Sequence, residues 1–383
     1  MKSLLILSHA PHLIHNGSVL AYAPFVREIN LWADAFSKVT VLSPCFNETG
    51  NSKVFENKKK ILTAYNHKNL NHNALSVLHF KSVRLGLKSI FNTPKTLVKI
   101  YRGCSTADHI HLRCPGNIGL LGCMVQIFFP RTIKTAKYAG NWDPNGTNQP
   151  LSYRLQKWIL ANPWLTRNMQ VMAYGEWPNQ SPNIKPFFTA TYSEKDTHIE
   201  ILRRDWQGAI KFVFAGTLSE GKNPFYAVQL IKELKDSGIN VHSDIYGDGV
   251  QKKQIQDFIT EHHLEQSVVL HGNKDADRLK NAYQNAHFLI LPSQSEGWPK
   301  VVAEAMFWGA IPITRAVSCV PWMLGHGDRG ILLKDELTAD VQGIMQHLNK
   351  PELLQAMSQS GADWSRQYTT DAFSKAIKQL LAK

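Results

Sequence analysis

The sequence of 383 residues is poor in cysteine, and its cysteines do not suggest a covalent framework. The five cysteines, at positions 45, 104, 114, 123 and 319, form an odd set without a Cys-x-x-Cys pair. This usage excludes the small disulfide-rich class and argues against a structural zinc site. It favours reduced thiols, and we therefore expect a cytoplasmic protein.

Long apolar runs are also absent. The run Ser3–Ser8 is shorter than the core of a signal peptide and lacks a cleavage site of small residues, so it predicts a buried strand and no secretion signal. The longest other run, Ile118–Pro130, contains Gln126 and is well below the ~20 residues that a membrane-spanning helix requires. We expect a chain that does not cross a membrane.

Acidic residues are scarce in the first half of the chain. Residues 1–200 hold 23 Lys and Arg against 10 Asp and Glu, whereas residues 201–383 hold 20 of each. This asymmetry suggests an anionic partner, such as a phospholipid surface, a pyrophosphate-bearing acceptor or a nucleic acid, although an ordinary basic domain explains it equally well. Lys81–Arg102 mixes basic and apolar residues as a membrane-surface segment does; the alternative is a surface helix pair broken at Pro94.

Short apolar strands alternate with segments of helical period, which is the pattern of parallel sheets built from βαβ units. We predict an α/β protein with domains at residues 1–198 and 199–365, an interdomain linker at Glu194–Gln207, and a last segment, 366–383, that contains a helix over Thr370–Leu381. The predicted strands are Leu4–Leu7, Val39–Leu42, Leu75–His79, His109–Leu112 and Thr135–Tyr138, then Phe212–Ala215, Val241–Tyr246, Val268–His271, Ala286–Leu291 and Ile311–Thr314. The turns after the strands of the second domain should form one ligand-binding rim.

The clearest functional signal is Leu291–Met306, in which Glu296 and Glu304 stand eight positions apart. Pro299 suits the first position of a helix, so Glu296 should lie in the preceding loop and Glu304 on the helix. The N-terminal N–H groups and the dipole of this helix would attract a diphosphate. The alternative is that Glu296 is a plain loop carboxylate and Glu304 a solvated helix residue.

This segment, continued by Gly309-Ala310-Ile311-Pro312, resembles the E-x7-E motif of glycosyltransferase family 4, a family of retaining GT-B enzymes. The resemblance implies two Rossmann-like domains that face each other across a cleft, with the C-terminal helix returning to the N-terminal domain. It also implies that Glu296 binds hydroxyls of the donor sugar and that Glu304 holds the ribose. The donor pocket would be lined by Gly297, Trp298, Pro299 and Lys300.

A second signal is Ala215–Pro224, a Gly-rich turn in which Gly216 allows close backbone approach and Lys222 supplies a mobile positive charge for a leaving diphosphate. Family 4 enzymes commonly carry an arginine where this chain has Thr217. Either Lys222 therefore acts with helix N-termini alone, or another basic residue such as Lys300 takes the place of the arginine. A nucleotide-triphosphate P-loop is rejected, because Asn223 stands where that loop needs a Ser or Thr hydroxyl.

Weaker signals complete the predicted donor side. Gly247 and Gly249, in the turn after Tyr246, resemble the Gly-x-Gly turn of the family, although a plain tight turn explains them nearly as well. By the same resemblance, His271 lies near the nucleotide base.

On the acceptor side, Asn16-Gly17-Ser18 follows the first strand and is interpreted as a flexible loop near donor and acceptor. His111 and Arg113 end a predicted strand and could contact acceptor or phosphate; a core role for the histidine is at least as good an explanation. Asn141 lies where many relatives place an active-site histidine, so the group that activates the acceptor stays unassigned.

We expect no metal and no cofactor apart from the nucleotide-sugar co-substrate. Asp275-Ala276-Asp277 has the D-x-D shape of metal-dependent transferases, but it opens a predicted helix, where aspartates act as caps. Pairs of histidines occur without a third ligand at recognisable spacing.

These patterns together predict a retaining hexosyltransferase with Glu296 and Lys222 as catalytic residues. It would transfer a sugar from a nucleotide-diphosphate donor to a glycan or lipid-linked acceptor in cell-surface polysaccharide or lipopolysaccharide synthesis, in the cytoplasm or peripherally at the inner face of the plasma membrane. Two alternatives stay open: a GT-B sugar-nucleotide epimerase or phosphorylase, and a nucleic-acid-binding protein, for which the sequence offers no recognised module.

Overall fold

The computed structural model describes residues 2–46, 62–78, 83–146 and 149–381. The chain divides into two compact units, Met1–Phe187 with Ser374–Lys383, and Phe188–Phe373. The prediction placed this division at 198/199, whereas in the structure the second unit begins at Phe188. The physical reason is that residues before 199 already bond within the second unit: Thr191 donates to Glu304 (2.6 Å), and Lys280 donates to Asp196 (2.9 Å). Farther along the same segment, the buried Arg204 donates to the Trp308 carbonyl oxygen (2.7 Å). The segment predicted as a linker is therefore part of the second unit.

The first unit is built on one mixed sheet. Its strands lie in the order β10-β9-β8-β7-β1-β4-β2-β3-β5, and β6 pairs with β4; the pairs β2–β3 and β3–β5 are antiparallel and the other pairs are parallel. The strands are β1 (Ser3–Leu7), β2 (His12–His15), β3 (Ser18–Tyr22), β4 (Lys38–Phe46), β5 (Leu62–Ala64), β6 (Leu70–Leu75), β7 (His109–Cys114), β8 (Ile133–Tyr138), β9 (Met169–Tyr174) and β10 (Ile184–Phe187).

Helices cover both faces of this sheet. They are α1 (Ala23–Ala33), α2 (Val83–Thr106), α3 (Asn117–Val125) and α4 (Leu151–Leu160), with a short 3-10 helix at Gln126–Phe128. Side chains alternate along β7: His111 packs on Trp32 of α1 at 4.3 Å between ring centroids, whereas Leu112 lies against Gly122 of α3 on the other face. Helices α2, α3 and α4 pack side by side, and their inner surfaces form the larger apolar core of this unit.

Two predicted features of the first unit need correction. The strand predicted at Leu75–His79 lies earlier, at Leu70–Leu75, and His79 is outside the described residues. The sequence pattern misleads because, among the described strands, β6 pairs with β4 alone and carries polar side chains that an edge strand can expose. The alternative of a helix pair broken at Pro94 is also wrong, since α2 continues through Pro94. Buried Thr96 and Ile100 hold it to the core, while Pro94 is exposed.

The second unit contains a parallel sheet of six described strands in the order β13-β12-β11-β14-β15-β16. These strands are β11 (Ile210–Ala215), β12 (Val241–Tyr246), β13 (Val268–Gly272), β14 (Phe288–Leu291), β15 (Ile311–Arg315) and β16 (Ile331–Leu333). In chain order this is 3-2-1-4-5-6, the doubly wound arrangement whose direction reverses between its first and fourth strands, here β11 and β14. The five strands predicted for this domain are confirmed, and β16 was not predicted.

The helices of the second unit follow the strands in turn. They are α5 (Pro224–Asp236), α6 (Lys252–Glu261), α7 (Ala276–Asn285), α8 (Lys300–Phe307), α9 (Val320–Met323), α10 (Leu337–Leu348), α11 (Pro351–Ser365) and α12 (Thr370–Leu381), with 3-10 helices at Glu194–His198 and Gly325–Gly327. Helix α12 has the predicted bounds and is shared, because Ser374 and later residues belong to the first unit. No helix in the described part of the chain is both long and apolar enough to span a bilayer.

Candidate active site

The loops after β11, β12 and β14 are joined by main-chain hydrogen bonds at the carboxyl ends of the second sheet. Leu218 N–H donates to the carbonyl oxygen of Asp248 (3.0 Å), and Gln294 N–H donates to that of Gly221 (2.9 Å). The loop after β11 is therefore tied to its neighbours on both sides. This assembly lies where the direction of a doubly wound sheet reverses, which is the usual ligand site of such sheets.

Lys222 and Glu296 meet at this point. The Lys222 Nζ donates to Glu296 Oε1 at 2.5 Å, although the two residues are 74 positions apart in the chain. The Glu296 side chain is 8% exposed and that of Lys222 is 32% exposed. The structure thus brings together the two predicted catalytic residues as an ion pair whose cation still reaches solvent.

Two helices begin beside this pair. Asn223, in the left-handed conformation with φ of 50°, precedes α5, and Pro224 is the first residue of that helix. Pro299 stands before α8, which begins at Lys300 rather than at the predicted Pro299. In the described chain no side chain caps either helix. Two such N-termini attract anions.

The loop between Glu296 and α8 is held from behind. The Gly297 carbonyl oxygen accepts from the Cys319 thiol (3.1 Å) and the Ser318 hydroxyl (3.4 Å). Trp298 is buried, with its ring 5.5 Å from Tyr368 and 6.1 Å from Trp364. Its side chain therefore stabilises the loop, and the sequence pattern did not reveal this aromatic cluster, because its members are far apart in the chain.

The rim glycines have a packing role that the sequence left open. A Cβ on Gly247, whose φ is +139°, would lie 1.8 Å from the carbonyl oxygen of Gly216, and one on Gly249 would lie 2.4 Å from that of Leu218. These glycines therefore let neighbouring loops touch. Gly216 itself has space for a Cβ. Thr217 follows it in the same loop, and Leu218, the next residue, is buried.

Glu304 lies farther along α8 than the rim. Four residues separate it from Lys300, which corresponds to about 6 Å along the helix axis. Its carboxylate accepts from the Thr191 hydroxyl (2.6 Å) and from the Tyr283 hydroxyl (3.4 Å). Burial raises the pKa of Tyr283 well above its usual value, with a further contribution from Glu304. The carboxylate predicted to hold the ribose is thus held by groups of the same unit.

His271 lies on the last-but-one residue of β13, with its ring fixed on two sides. Its Nε2 is 2.5 Å from Asp244 Oδ1, and its ring stacks on Tyr246 at 4.6 Å. The side chain is one-fifth exposed. The geometry therefore fixes the ring orientation beside the turn that contains Gly247.

In the first unit, His111 and Arg113 are both engaged by the protein. His111 is fully buried, with Nδ1 2.9 Å from the Thr135 hydroxyl, and burial lowers its pKa well below the usual value. This favours the core role that the sequence left open for it. Arg113 pairs with Glu28, which also accepts from Lys137 at 3.0 Å. Burial opposes ionisation of Glu28, but the two cations outweigh it and lower its pKa to about 2.

The other two acceptor-side residues occupy tight turns. Asn16 and Gly17 have φ of 48° and 73° and connect β2 to β3 as a two-residue hairpin turn. The expected flexible loop is therefore a β-hairpin, and the Asn-Gly pair was the signal that could have revealed it. The Asn141 side chain accepts from the Asp143 N–H (2.8 Å), which closes a local turn.

A buried polar cluster in the first unit was not anticipated from the sequence. His12 lies within 2.6 Å of both the Ser43 and the Tyr65 hydroxyls, and Ser43 also contacts His72 at 2.9 Å. Burial, assisted by His72 and opposed by a hydrogen bond to Ala10, lowers the pKa of His12 to about 4. These residues come from three strands and a loop, so no single motif contains them.

The D-x-D segment has the capping role expected for it. Asp275 caps α7 by accepting from the Arg278 N–H at 2.8 Å. Among the described residues, no three His, Cys, Asp or Glu side chains are grouped as a metal site requires.

Comparison with known proteins finds a family model and relatives that resemble the segment containing this site. Residues 201–364 match the family model described as Glycosyl transferases group 1. MJ1178, an uncharacterized glycosyltransferase of Methanocaldococcus jannaschii, is 25% identical over 152 residues, which cover 39% of this chain and 42% of that protein. WcaL of Salmonella typhimurium, named provisionally as a colanic acid biosynthesis glycosyltransferase, is 24% identical over 145 residues, 36% of this chain and 35% of that protein. The matched segments span less than half of either relative.

Solved structures extend the likeness to both units. Sucrose-phosphate synthase from Thermosynechococcus elongatus superposes with a TM-score of 0.66 at 14% identity, over 100% of this chain and 98% of that one. Anabaena Alr3699/HepE, solved in complex with UDP and glucose, gives a TM-score of 0.66 at 13% identity over 100% of both chains. At such identities the likeness shows the fold alone. The chain thus has the GT-B fold with two Rossmann-like units, and its segment 201–364, which contains the Lys222–Glu296 pair, matches the family model of the glycosyl transferases group 1.

Proposed function

We propose that this protein is a retaining hexosyltransferase that uses a nucleotide-diphosphate sugar and needs no metal. The observation that carries the proposal is the Lys222–Glu296 ion pair at the reversal point of the second sheet, beside the N-termini of α5 and α8. A diphosphate needs positive charge and N–H donors, and a sugar needs a buried acceptor for its hydroxyls. This site contains all three within two adjacent loops.

The donor binds at the rim of the second unit in this proposal. Its diphosphate lies against the N-termini of α5 and α8 and forms an ion pair with the ammonium group of Lys222. Lys222 then no longer pairs with Glu296, and the Glu296 carboxylate accepts hydrogen bonds from hydroxyls of the sugar. Lys300 takes the place of the arginine that the family carries at Thr217. The loops that contain Gly216, Gly247 and His271 surround the nucleotide. The Glu304 carboxylate gives up its hydrogen bond from the Thr191 hydroxyl and accepts hydrogen bonds from the ribose hydroxyls instead. UDP is the first nucleotide to test, because Alr3699/HepE was solved with UDP.

Transfer then proceeds at one face of the sugar. The acceptor hydroxyl oxygen forms a bond to the anomeric carbon while the bond from that carbon to the diphosphate oxygen breaks, and the bonding electron pair leaves with the diphosphate. The proton of the acceptor passes to an oxygen of the departing diphosphate, so no protein base is required. Lys222 and the two helix N-termini stabilise the growing charge, and losing one such group typically costs ~10²-fold or more in rate.

The acceptor in this proposal is a glycan or a lipid-linked saccharide, and the pathway is synthesis of a surface polysaccharide in the cytoplasm or at the inner face of the membrane. The name of WcaL points to such a pathway for that relative. The basic first half of the chain suits an acceptor that carries pyrophosphate.

Thermal stability with UDP, GDP, ADP and CMP in turn, measured with EDTA present, tests the donor site. A ligand at ~100 times its dissociation constant stabilises the folded state by roughly 2.7 kcal/mol. We expect one nucleotide to raise the melting temperature of the wild type and not that of Lys222→Ala. A rise that requires added divalent metal would refute metal independence, and no rise with any nucleotide would refute the donor site.

Product analysis with the sugar donor then separates the possible activities. The anomeric coupling constant of the product reports retention or inversion. Release of nucleotide without any acceptor would indicate an epimerase, and a requirement for orthophosphate would indicate a phosphorylase.

A further inference from the structure

The outer surface of α4 in the first unit carries apolar side chains where a helix packed on a core normally presents polar ones. Leu151, Leu155 and Trp158 follow one another at i, i+4 and i+7, so they lie on one side of the helix. They are exposed, Leu151 by 77% and Trp158 by 61%. The opposite side, with Gln156 and Leu160, is already buried in the core. The exposed row is therefore a second apolar face with no described partner in the chain.

The segment after α4 carries further exposed side chains of the same kinds. Trp164 is 78% exposed, and the Arg167 guanidinium lies 5.5 Å from the centroid of its ring. Arg154 is exposed on α4 between Leu151 and Leu155. We call these six residues the α4 patch: Leu151, Arg154, Leu155, Trp158, Trp164 and Arg167. It combines two tryptophans, two leucines and two cations on a continuous 17-residue segment.

The charge around the α4 patch is of one sign. The sequence has no carboxylate between Asp143 and Glu176. In the same helical layer, α2 carries five Lys and Arg and no acidic residue, and its Phe91 and Val98 are exposed as well. Among the described side chains, the outer surface of the layer formed by α2, α3 and α4 therefore presents both large apolar groups and cations, and these three helices contain no acidic residue.

This composition favours a lipid bilayer with anionic headgroups over a protein partner. Tryptophan prefers the boundary between headgroups and acyl chains, and arginine pairs with lipid phosphate at the same depth. Protein interfaces are also rich in tryptophan and arginine, but they are depleted of lysine, which α2 adds to this surface at the exposed Lys95. The membrane-like stretch predicted from the sequence, Lys81–Arg102, ends well before α4, so the patch is a separate element.

We propose that the α4 patch docks the protein on an anionic membrane, with Trp158 and Trp164 inserted at the headgroup boundary and Arg154 and Arg167 on lipid phosphates. Docking orients the first unit toward the lipid surface and needs no membrane-spanning helix. Because vesicle binding does not depend on sugar transfer, failure of this proposal leaves the proposed function standing.

Co-sedimentation of the full chain with vesicles tests the proposal. We expect binding to vesicles of phosphatidylcholine with phosphatidylglycerol and much weaker binding to phosphatidylcholine alone. The double variant Trp158→Ser/Trp164→Ser should bind the mixed vesicles about tenfold more weakly, since it removes most of the inserted apolar area. The double variant Arg154→Gln/Arg167→Gln should bind the mixed vesicles about fivefold more weakly for each arginine replaced. The matched control is Leu353→Ser, which replaces an exposed leucine of α11 in the second unit and should bind as the wild type does.

All of these side chains are exposed, so each variant should keep the melting temperature of the wild type. Equal binding of the tryptophan double variant and the wild type would overturn the proposal. It would also be overturned if the wild type ignored both kinds of vesicle and instead formed a concentration-dependent dimer that this variant loses. In that case the patch is an interface between two copies of the chain.

Discussion

Replacing Lys222 by Met and Glu296 by Gln, singly and together, probes the ion pair at the proposed donor site. Both changes keep side-chain length and remove charge. The pair joins the loops after β11 and β14, with Nζ and Oε1 2.5 Å apart. The partners differ in exposure, 8% for Glu296 against 32% for Lys222, and this asymmetry predicts different costs for the two single variants.

In the protein without ligand, Lys222→Met should destabilise the second unit more than Glu296→Gln does. The first change leaves a buried carboxylate without its cation, at a cost of about 1–3 kcal/mol. The second leaves an ammonium that water can solvate, at a cost below about 1 kcal/mol. For a unit of this size, each kcal/mol lowers the melting temperature by about 2–4 °C. The double variant should be close to Glu296→Gln, because the stranded carboxylate is gone.

In catalysis the two residues should act as one unit. Each single variant should lower kcat by about 10²-fold or more, since each removes a group that stabilises the transition state. If the diphosphate takes Lys222 while Glu296 holds the sugar, the losses are coupled, and the double variant falls well short of the ~10⁴-fold product of independent effects.

The assays are urea unfolding without ligand and turnover of a sugar donor that carries the nucleotide identified by the stability screen. Exchanging an exposed charged residue of the same unit, for example Lys253→Met, supplies the control and should leave both quantities unchanged. Near-normal turnover of either single variant would refute the assigned roles. Equal destabilisation by the two single variants would refute the argument from exposure.

Three further predictions concern stability. Gly247→Ala should disrupt the rim and abolish nucleotide-induced stabilisation, because its Cβ would lie 1.8 Å from the Gly216 oxygen, whereas Gly221→Ala, with no atom within 4 Å of the added Cβ, should resemble the wild type in urea unfolding. His12, whose pKa is about 4, stays neutral in the folded state while the unfolded chain takes up a proton below pH 6.5. As pH falls from 6.5 to 4, this group should therefore lower the free energy of unfolding of the first unit by on the order of 3 kcal/mol. His12→Gln should flatten the dependence of that free energy on pH in this range. Glu28, with its pKa lowered to about 2, contributes stability that is fully present above pH 4.5 and lost as pH falls toward 2, so Glu28→Gln should remove this acid dependence from the unfolding midpoint.

The repeating order of strand, turn and helix could be predicted from the sequence because it depends on local patterns. Val241–Tyr246 leads into the Gly-Asp-Gly turn at 247–249 and Thr370–Leu381 has a helical period, and both elements have the predicted bounds. The polar strand Leu70–Leu75 was not predicted, because its Asn71 and Asn73 side chains are exposed and break the apolar pattern.

The candidate site could be predicted in part. Glu296 and Lys222 stand in motifs that local sequence reveals, but their mutual contact does not follow from either motif. Helix α4 illustrates the converse: its alternation of apolar and polar residues indicates an amphipathic helix, yet the pattern does not tell which apolar row is buried. Ile159 went to the core and Trp158 to the surface because α3 and the sheet cover only one side of the helix.

By itself, then, the sequence determined the elements and the motifs at their ends, because hydrophobic period and turn chemistry act over a few residues. Only the tertiary structure decided which distant groups meet. The strand order 3-2-1-4-5-6 places β14 beside β11, and the loops after these two strands thereby bring Glu296 into contact with Lys222. The same long-range packing buried Arg204 in the second unit, placed His111 in the core of the first unit and left Trp158 of α4 exposed. Contacts of this kind depend on the path of the whole chain, which no local pattern contains.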